Sequence, residues 1–273
     1  MEERKPFKIV SKKKSRYILP NALTLIGVCL GISSIKFSLD QNYSLAIVLL
    51  LFAALLDGLD GRVARLIDGA SEFGKELDSL TDFVSFGIAP AFILYFWELK
   101  NYGKIGWAIT LIFSVCCVLR LARFNLTKIG EEEKWRVNFF EGVPSPAGAG
   151  LVLLPLIYEL SNFNIGIQAR DISPYLAIFV SILLISKIPT FSFKKISIPR
   201  KLTIFLFLGI GIISIFLIFF TFETLLLIGL IYLLLIPVSF VSYRKNRNSN
   251  KTSLEDEHED ILWWKKIEVQ KTG

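Results

Sequence analysis

Four aspartates, Asp57, Asp60, Asp78 and Asp82, carry the chemistry most visible in this chain, within the stretch DGLDGRVARLIDGASEFGKELDSLTD, residues 57–82. They fall where one apolar run ends and the next begins. An Asp at the centre of a membrane span costs about 2.5–3.5 kcal/mol, whereas a Leu returns only about 0.3–0.6 kcal/mol. Four such acids would cancel the gain from more than about a dozen leucines. Acids so placed mark function by default.

Spacing says what they can do together. Asp57 and Asp60 are i, i+3, and Gly61 and Ala64 continue the same helical face; Asp78 and Asp82 are i, i+4, with Gly74 one turn before them. Two antiparallel helices joined by the short link at 68–73 would aim four carboxylates at one point. Crowded carboxylates repel unless cations sit between them, and hard oxygen ligands suit Mg²⁺, Mn²⁺ or Ca²⁺. Gly61, Ala64 and Gly74 leave room for a ligand against the backbone, and Arg65 offers a planar fork for phosphate. The plainer alternative is that the acids only pair with Arg62 and Arg65. Tyr43 to Leu56 is roughly 21 Å of helix before Asp57, and Phe83 to Trp97 is roughly 22 Å beyond Asp82. Against a hydrocarbon core of about 30 Å, both pairs sit at one depth, just inside one membrane face.

Two further groups lie downstream. In Arg120-Leu-Ala-Arg123-Phe-Asn125, Arg120 is again roughly 22 Å from the far end of its apolar run, level with the carboxylates. An arginine at that depth wants acids, metals or an anionic substrate beside it, or else snorkels to the surface. Arg123 is nearer water. Next, in the run FFEGVPSPAGAG at 139–150, two prolines bracket Ser145. Proline suits a helix start, whose free N–H groups attract anions, and the small residues after it permit close approach. A tightly packed helix start with no ligand is the other reading.

These residues must be held by membrane helices. Of 273 residues, 53% are hydrophobic, too many for an ordinary soluble domain. Eight apolar segments stand out, at about 18–39, 43–66, 79–98, 104–124, 142–160, 172–189, 201–220 and 223–243. The expected fold is therefore an all-α integral membrane protein of about eight transmembrane helices. Basic residues cluster before the first span, around 62–75, at 120–136, at 187–201 and after 243, while the opposite connections carry few. That alternation puts both termini and the acids on the cytoplasmic side. The net charge of +7 comes largely from ends and loops, which suits anionic lipid and argues against nucleic acid as a partner.

The basic start, 1–17, resembles a signal peptide, but 18–39 is long, is interrupted by Pro20 and Asn21 and has no clear small-residue cleavage site. It reads as a retained first span. Asn21 and Thr24, at its inner end, either reach the site or pack helices. Cys29, Cys116 and Cys117 all lie in apolar runs and read as packing residues, with no disulfide or zinc site. The single histidine, His258, is in the polar tail, so a base in the membrane must be another residue. The tail, 244–273, is mixed in charge; its Ile261–Ile267 piece with Trp263 and Trp264 either lies on lipid or, the reading we favour, is disordered with the rest.

The pattern Asp57-x-x-Asp60-Gly61-x-x-Ala64-Arg65, eight residues, Gly74-x-x-x-Asp78-x-x-x-Asp82 is similar to the complete signature of the CDP-alcohol phosphatidyltransferase family. The resemblance implies a catalytic six-helix core, 18–189, usually in a homodimer; the two further helices at 201–243, nearly all Ile, Leu and Phe, carry no visible chemistry and read as packing or dimer contacts. It implies two divalent cations (Mg or Mn, with Ca possible in a crystal) held by Asp57, Asp60, Asp78 and Asp82 against a pyrophosphate. Asp57, Gly61, Ala64, Arg65, Gly74 and Asp78 would bind the cytidine nucleotide, and Asp82 would also be the base. Arg120–Asn125 and Gly142–Ala147 resemble the bacterial branch whose acceptor is L-serine. The implied reaction is phosphatidyl transfer from CDP-diacylglycerol to serine with release of CMP, at the cytoplasmic face of a bacterial membrane. Arg120, Arg123, Asn125 and Ser145 would serve serine or phosphate.

Rival readings remain. The same chemistry with glycerol 3-phosphate, inositol phosphate or choline is open, because Arg120 and Arg123 also suit a phosphorylated acceptor. A cation transporter would use the acids but has no need of a nucleotide-shaped gap at Gly61, Ala64 and Gly74. A prenyltransferase with paired aspartate motifs lacks this Gly–Ala–Arg framework.

Overall fold

The structure, a computed structural model, describes residues 12–67, 69, 71–126, 139–163, 166, 168–191 and 203–244. Most of the basic start and nearly all of the polar tail lie outside the described residues. Helix α1 (Lys12–Leu39) leads through a tight turn into α2 (Tyr43–Leu66), and α3 (Glu72–Asp82) continues through a π-helical turn (Phe83–Ile88) into α4 (Ala89–Trp97). A short 3₁₀ turn (Leu99–Tyr102) precedes α5 (Gly103–Leu126); α6 (Ser145–Val152), α7 (Leu154–Leu160), α8 (Ala169–Ile185), α9 (Thr203–Phe219) and α10 (Thr221–Arg244) complete the order. The fold is all-α and membrane-embedded, as expected.

Among the described residues, five helical stretches are long and apolar enough to cross a membrane: Ile18–Leu39, Tyr43–Leu66, Glu72–Trp97, Leu99–Leu126 and Thr221–Arg244. The other three expected spans are shorter pieces. The segment at 142–160 breaks at Leu153 into α6 and α7, because Pro155 in the first turn of α7 has no N–H to continue the α6 ladder. α8 and α9 have 17 residues each, roughly 26 Å. Nearly every large described side chain of α9 is exposed, which suits contact with lipid tails.

One piece of β-structure was not expected. β1 (Phe139–Glu141) pairs antiparallel with β2 (Pro189–Phe191), joining the segment before α6 to the segment after α8. Gly142 N donates to Ile188 O at 2.9 Å, and Thr190 Oγ1 donates to Gly142 O at 2.8 Å. The ribbon thus pins the start of α6.

The core is built around α1, α4, α5 and α8. α1 packs along α2, α3, the π turn and α4, and α5 packs against α8. Phe86, Phe113, Ile93, Leu94, Leu156 and Leu184 are fully buried between them. Lipid tails are as apolar as leucine, so such contacts rely on close fit more than on escape from water. The α1–π contact shows this: a Cβ on Gly31 would come within 2.7 Å of Ser85 Oγ.

Candidate active site

Three elements converge at one end of the bundle. α2 presents Asp57, Asp60, Gly61, Ala64 and Arg65 in its last turns, and α3 presents Gly74, Asp78 and Asp82. The start of α3 is fixed by Ser71, whose Oγ accepts from Gly74 N at 2.9 Å, a side-chain cap of a donor the helix leaves unpaired. α1 forms the back. Its Thr24 Oγ1 donates to Asp60 Oδ2 at 2.7 Å and lies 3.0 Å from Pro20 O. Thr24 thus reaches the acids, and Asn21 lines the cavity beside them.

Carboxylate oxygens of Asp57, Asp60 and Asp78 lie within 4.8 Å of one another. At that separation two full charges repel by about 3 kcal/mol even at an effective dielectric constant of about 20. Asp82 faces Asp57 and Asp78, and its Oδ1 is buried with no hydrogen-bond partner among the described residues. Three converging carboxylate oxygens and an orphaned fourth are the hard donor set that a divalent cation takes. The residues fit such an ion.

Beside the acids is a cavity of ≈ 190 Å³. Asp60, Gly61, Ala64, Arg65, Gly74 and Asp78 all line it, six of the residues singled out by spacing. Asp57 and Asp82 do not. A Cβ on Gly61 would meet nothing within 4 Å, so the volume it lacks belongs to the cavity. A Cβ on Gly74 would instead come to 3.0 Å from Asn21 Oδ1. Arg65 Nε donates to Gly61 O at 3.0 Å, which lays its stem along α2. Ser71 and Lys75 also line the cavity and were not singled out from the sequence. Their signal was present: a capping serine three residues before Gly74 and a cation directly after it.

A second group meets the first through Arg120. Its side chain is 7% exposed, its Nη1 donates to fully buried Ser145 Oγ at 2.7 Å, and its guanidinium lies 5.3 Å from the Phe124 ring centroid. Asp82 is within its electrostatic reach. Arg120 therefore does not snorkel. Ser145 is the first residue of α6, with Pro144 as the cap before it.

Arg123 and Asn125 are engaged differently. Arg123 donates to the carbonyls of Leu184, Ile185 and Ser186, at 3.3, 2.6 and 3.1 Å, and so caps the C-terminal end of α8. Gly142 (φ 79°) lies against the same place; a Cβ there would sit 2.8 Å from Ser186 O. Asn125 Nδ2 donates to Ser79 Oγ at 2.9 Å, tying α5 to α3. Of the four acceptor-side candidates, Arg120 lies toward Asp82 and is held by Ser145, while the hydrogen bonds of Arg123 to the end of α8 and of Asn125 to Ser79 tie helices together.

Fold and site together define a multi-pass membrane protein with a carboxylate cluster beside a cavity lined by small residues. A family model described as CDP-alcohol phosphatidyltransferase matches residues 17–191, and a second, CDP-alcohol phosphatidyltransferase 2, matches 201–237. The chain belongs to the CDP-alcohol phosphatidyltransferase family. Among its relatives, the CDP-diacylglycerol–serine O-phosphatidyltransferase of Mycobacterium leprae is 44% identical over 186 residues, covering 67% of this chain and 61% of that protein. Proteins of the same name from Helicobacter pylori and Bacillus subtilis are 34% and 33% identical, covering 72% and 65% of this chain and 81% and 92% of theirs. The chain spans less than two thirds of the length of the mycobacterial relatives, 61% of the M. leprae protein and 64% of that from M. tuberculosis.

Proposed function

We propose that this chain is a phosphatidylserine synthase, which transfers the phosphatidyl group of CDP-diacylglycerol to the hydroxyl of L-serine and releases CMP. The observation that carries the reading is the convergence of Asp57, Asp60 and Asp78 on one another, beside the Gly61–Ala64–Gly74 cavity that Asp60 and Asp78 line, with Arg120, held by Ser145, toward Asp82. Serine-acceptor names on relatives at 33–44% identity support the choice of acceptor.

Each residue has a distinct part. Asp57, Asp60, Asp78 and Asp82 would hold two divalent cations, Mg²⁺ or Mn²⁺. When bound, such ions neutralise charge on the pyrophosphate and on the leaving phosphate. Gly61, Ala64 and Gly74 leave space for the cytidine nucleotide, and Arg65 supplies a fork to its phosphates. Arg120, held by Ser145, binds the serine carboxylate. Asp82 accepts the proton of the serine hydroxyl as its oxygen bonds to phosphorus and the bond to CMP breaks. No described histidine competes for that proton. A site near one membrane face lets the lipid donor enter from the bilayer while serine arrives from the cytoplasm. We also take the working unit to be a homodimer, as the family resemblance implies; its mass in nanodiscs, after subtracting scaffold and lipid, should be twice 30.9 kDa.

The test is an acceptor panel. Purified protein receives CDP-diacylglycerol, Mn²⁺ or Mg²⁺, and either serine, glycerol 3-phosphate, inositol phosphate or choline, and CMP is measured. Serine alone should support release, and chelation with EDTA should abolish it reversibly. CMP release with a different alcohol, or full activity after exhaustive chelation, would overturn the assignment.

A further inference from the structure

Between α2, the π turn, α6, α7 and α10 lies a second cavity, ≈ 220 Å³, with one polar lining side chain, Tyr232. Its walls share one order. On α2 it runs from Ile47 to Ala54, one turn short of Asp57; on α6 and α7, from Pro146, next to Ser145, to Ile157. On α10 it runs from Leu225 to Tyr232, and Tyr232 lies near Thr190 and Arg120. Ala54, Pro146 and Tyr232 therefore mark the end facing the acids. Seven residues along α2 or α10 give a slot roughly 10 Å long.

Two details say what the slot takes. The Tyr232 hydroxyl is buried without a hydrogen-bond partner among the described residues, an arrangement costly enough to call for an acceptor from elsewhere. Thr190 lies close enough to interact with it, but spends its own hydrogen on Gly142 O and forms no hydrogen bond of ordinary length with the tyrosine. Gly150, an exposed lining residue, is the second detail: a Cβ there would meet nothing within 4 Å. Alanine would favour the helix more strongly than glycine, so the empty space is not required by packing against protein. An apolar channel with one hydroxyl donor at its inner end matches a hydrocarbon chain with a carbonyl at its head.

We propose that the slot takes one ester-linked acyl chain of the lipid donor, with the Tyr232 hydroxyl donating to its ester carbonyl. Tyr232 is thereby a donor-specificity residue, and α10 is a wall of the binding site. A small polar acceptor such as serine would not fill a channel of this length and lining. The inference rests on the proposed donor, CDP-diacylglycerol, and not on the acceptor.

The experiment compares diacyl and dialkyl-ether CDP-lipids of equal chain length on the full chain in nanodiscs. Binding is read by displacement of labelled CDP-diacylglycerol, and turnover by CMP release. One neutral hydrogen bond predicts that the wild type binds the diacyl donor about fivefold more tightly. Tyr232→Phe should erase that preference by weakening the diacyl donor alone, with the KM for serine unchanged. Gly150→Leu should weaken long-chain donors about tenfold and short-chain donors little. Equal binding of ester and ether donors by the wild type would overturn the proposal, as would a Tyr232→Phe variant altered only in its serine KM. Should serine prove the wrong acceptor, wild-type CMP release with serine fails, while the binding comparison still reads the slot.

Discussion

Asp82 differs from its three neighbours in where its oxygens go. Asp60 accepts from Thr24, and Asp57, Asp60 and Asp78 converge, but Asp82 keeps one buried oxygen unpartnered and lies toward Arg120. Asp82→Asn should therefore keep most of the affinity for CDP-diacylglycerol while kcat falls about 10²–10⁴-fold, the usual loss of a general base. Asp57→Asn should instead lose donor affinity together with rate. Donor titrations in the presence of Mn²⁺, beside single-turnover rates at saturating serine, separate the two; equal loss of affinity would make Asp82 chiefly a ligand. Thr24→Val should slow turnover about tenfold, since a hydrogen bond to a charged group contributes about 1.5–3 kcal/mol. The four acids were legible because their spacings of three and four repeat a helical turn. The Thr24–Asp60 bond was legible only as one of two options, since its partners are 36 residues apart and the crossing of α1 over α2 decides it. Tyr232 was not legible, because a single tyrosine in an apolar helix carries no periodic signal.

At the level of elements, hydropathy located the five helices long enough to cross a membrane but not how each is completed. The π turn at Phe83–Ile88 directly succeeds Asp82, and such turns often accompany functional sites; nothing in its composition announces it. The break between α6 and α7 was readable in Pro155, but the apolar run hid it. The β1–β2 ribbon depends on two segments about fifty residues apart, beyond the reach of any local pattern. Two glycines give the sharpest contrast between space kept for a ligand and space consumed by the fold. Gly61→Leu should fold normally, because a Cβ there meets nothing, yet raise the KM for CDP-diacylglycerol more than about tenfold by filling the cavity. Gly142→Ala should do the reverse: positive φ and a Cβ 2.8 Å from Ser186 O strain the ribbon and the α8 cap, lowering thermal stability by about 1–3 kcal/mol. Thermal unfolding in detergent together with donor kinetics on both variants checks the pair.

For the whole molecule, the question is which way the bundle faces. The acids of α2 and α3, Arg120 of α5 and the start of α6 gather at one end, while Glu98, Glu159 and Arg170 form a separate ionic group joining α4, α7 and α8. α4 runs away from Asp82 toward Glu98, so the two groups lie at opposite ends of that helix. Lys and Arg excess flanks the acid end, and such excess is retained on the cytoplasmic side during insertion. The acid end should therefore be cytoplasmic, where the proposed acceptor, serine, is available. Exposed Lys100, beside Glu98, and exposed Arg62, beside Gly61, serve as reporters. In a background with Cys29 replaced, Lys100→Cys should react with a membrane-impermeant maleimide added to intact cells. Arg62→Cys should react only after the membrane is opened. Labelling of Arg62→Cys from outside, with Lys100→Cys protected, would invert the bundle and leave serine no route to Arg120 from the cytoplasm.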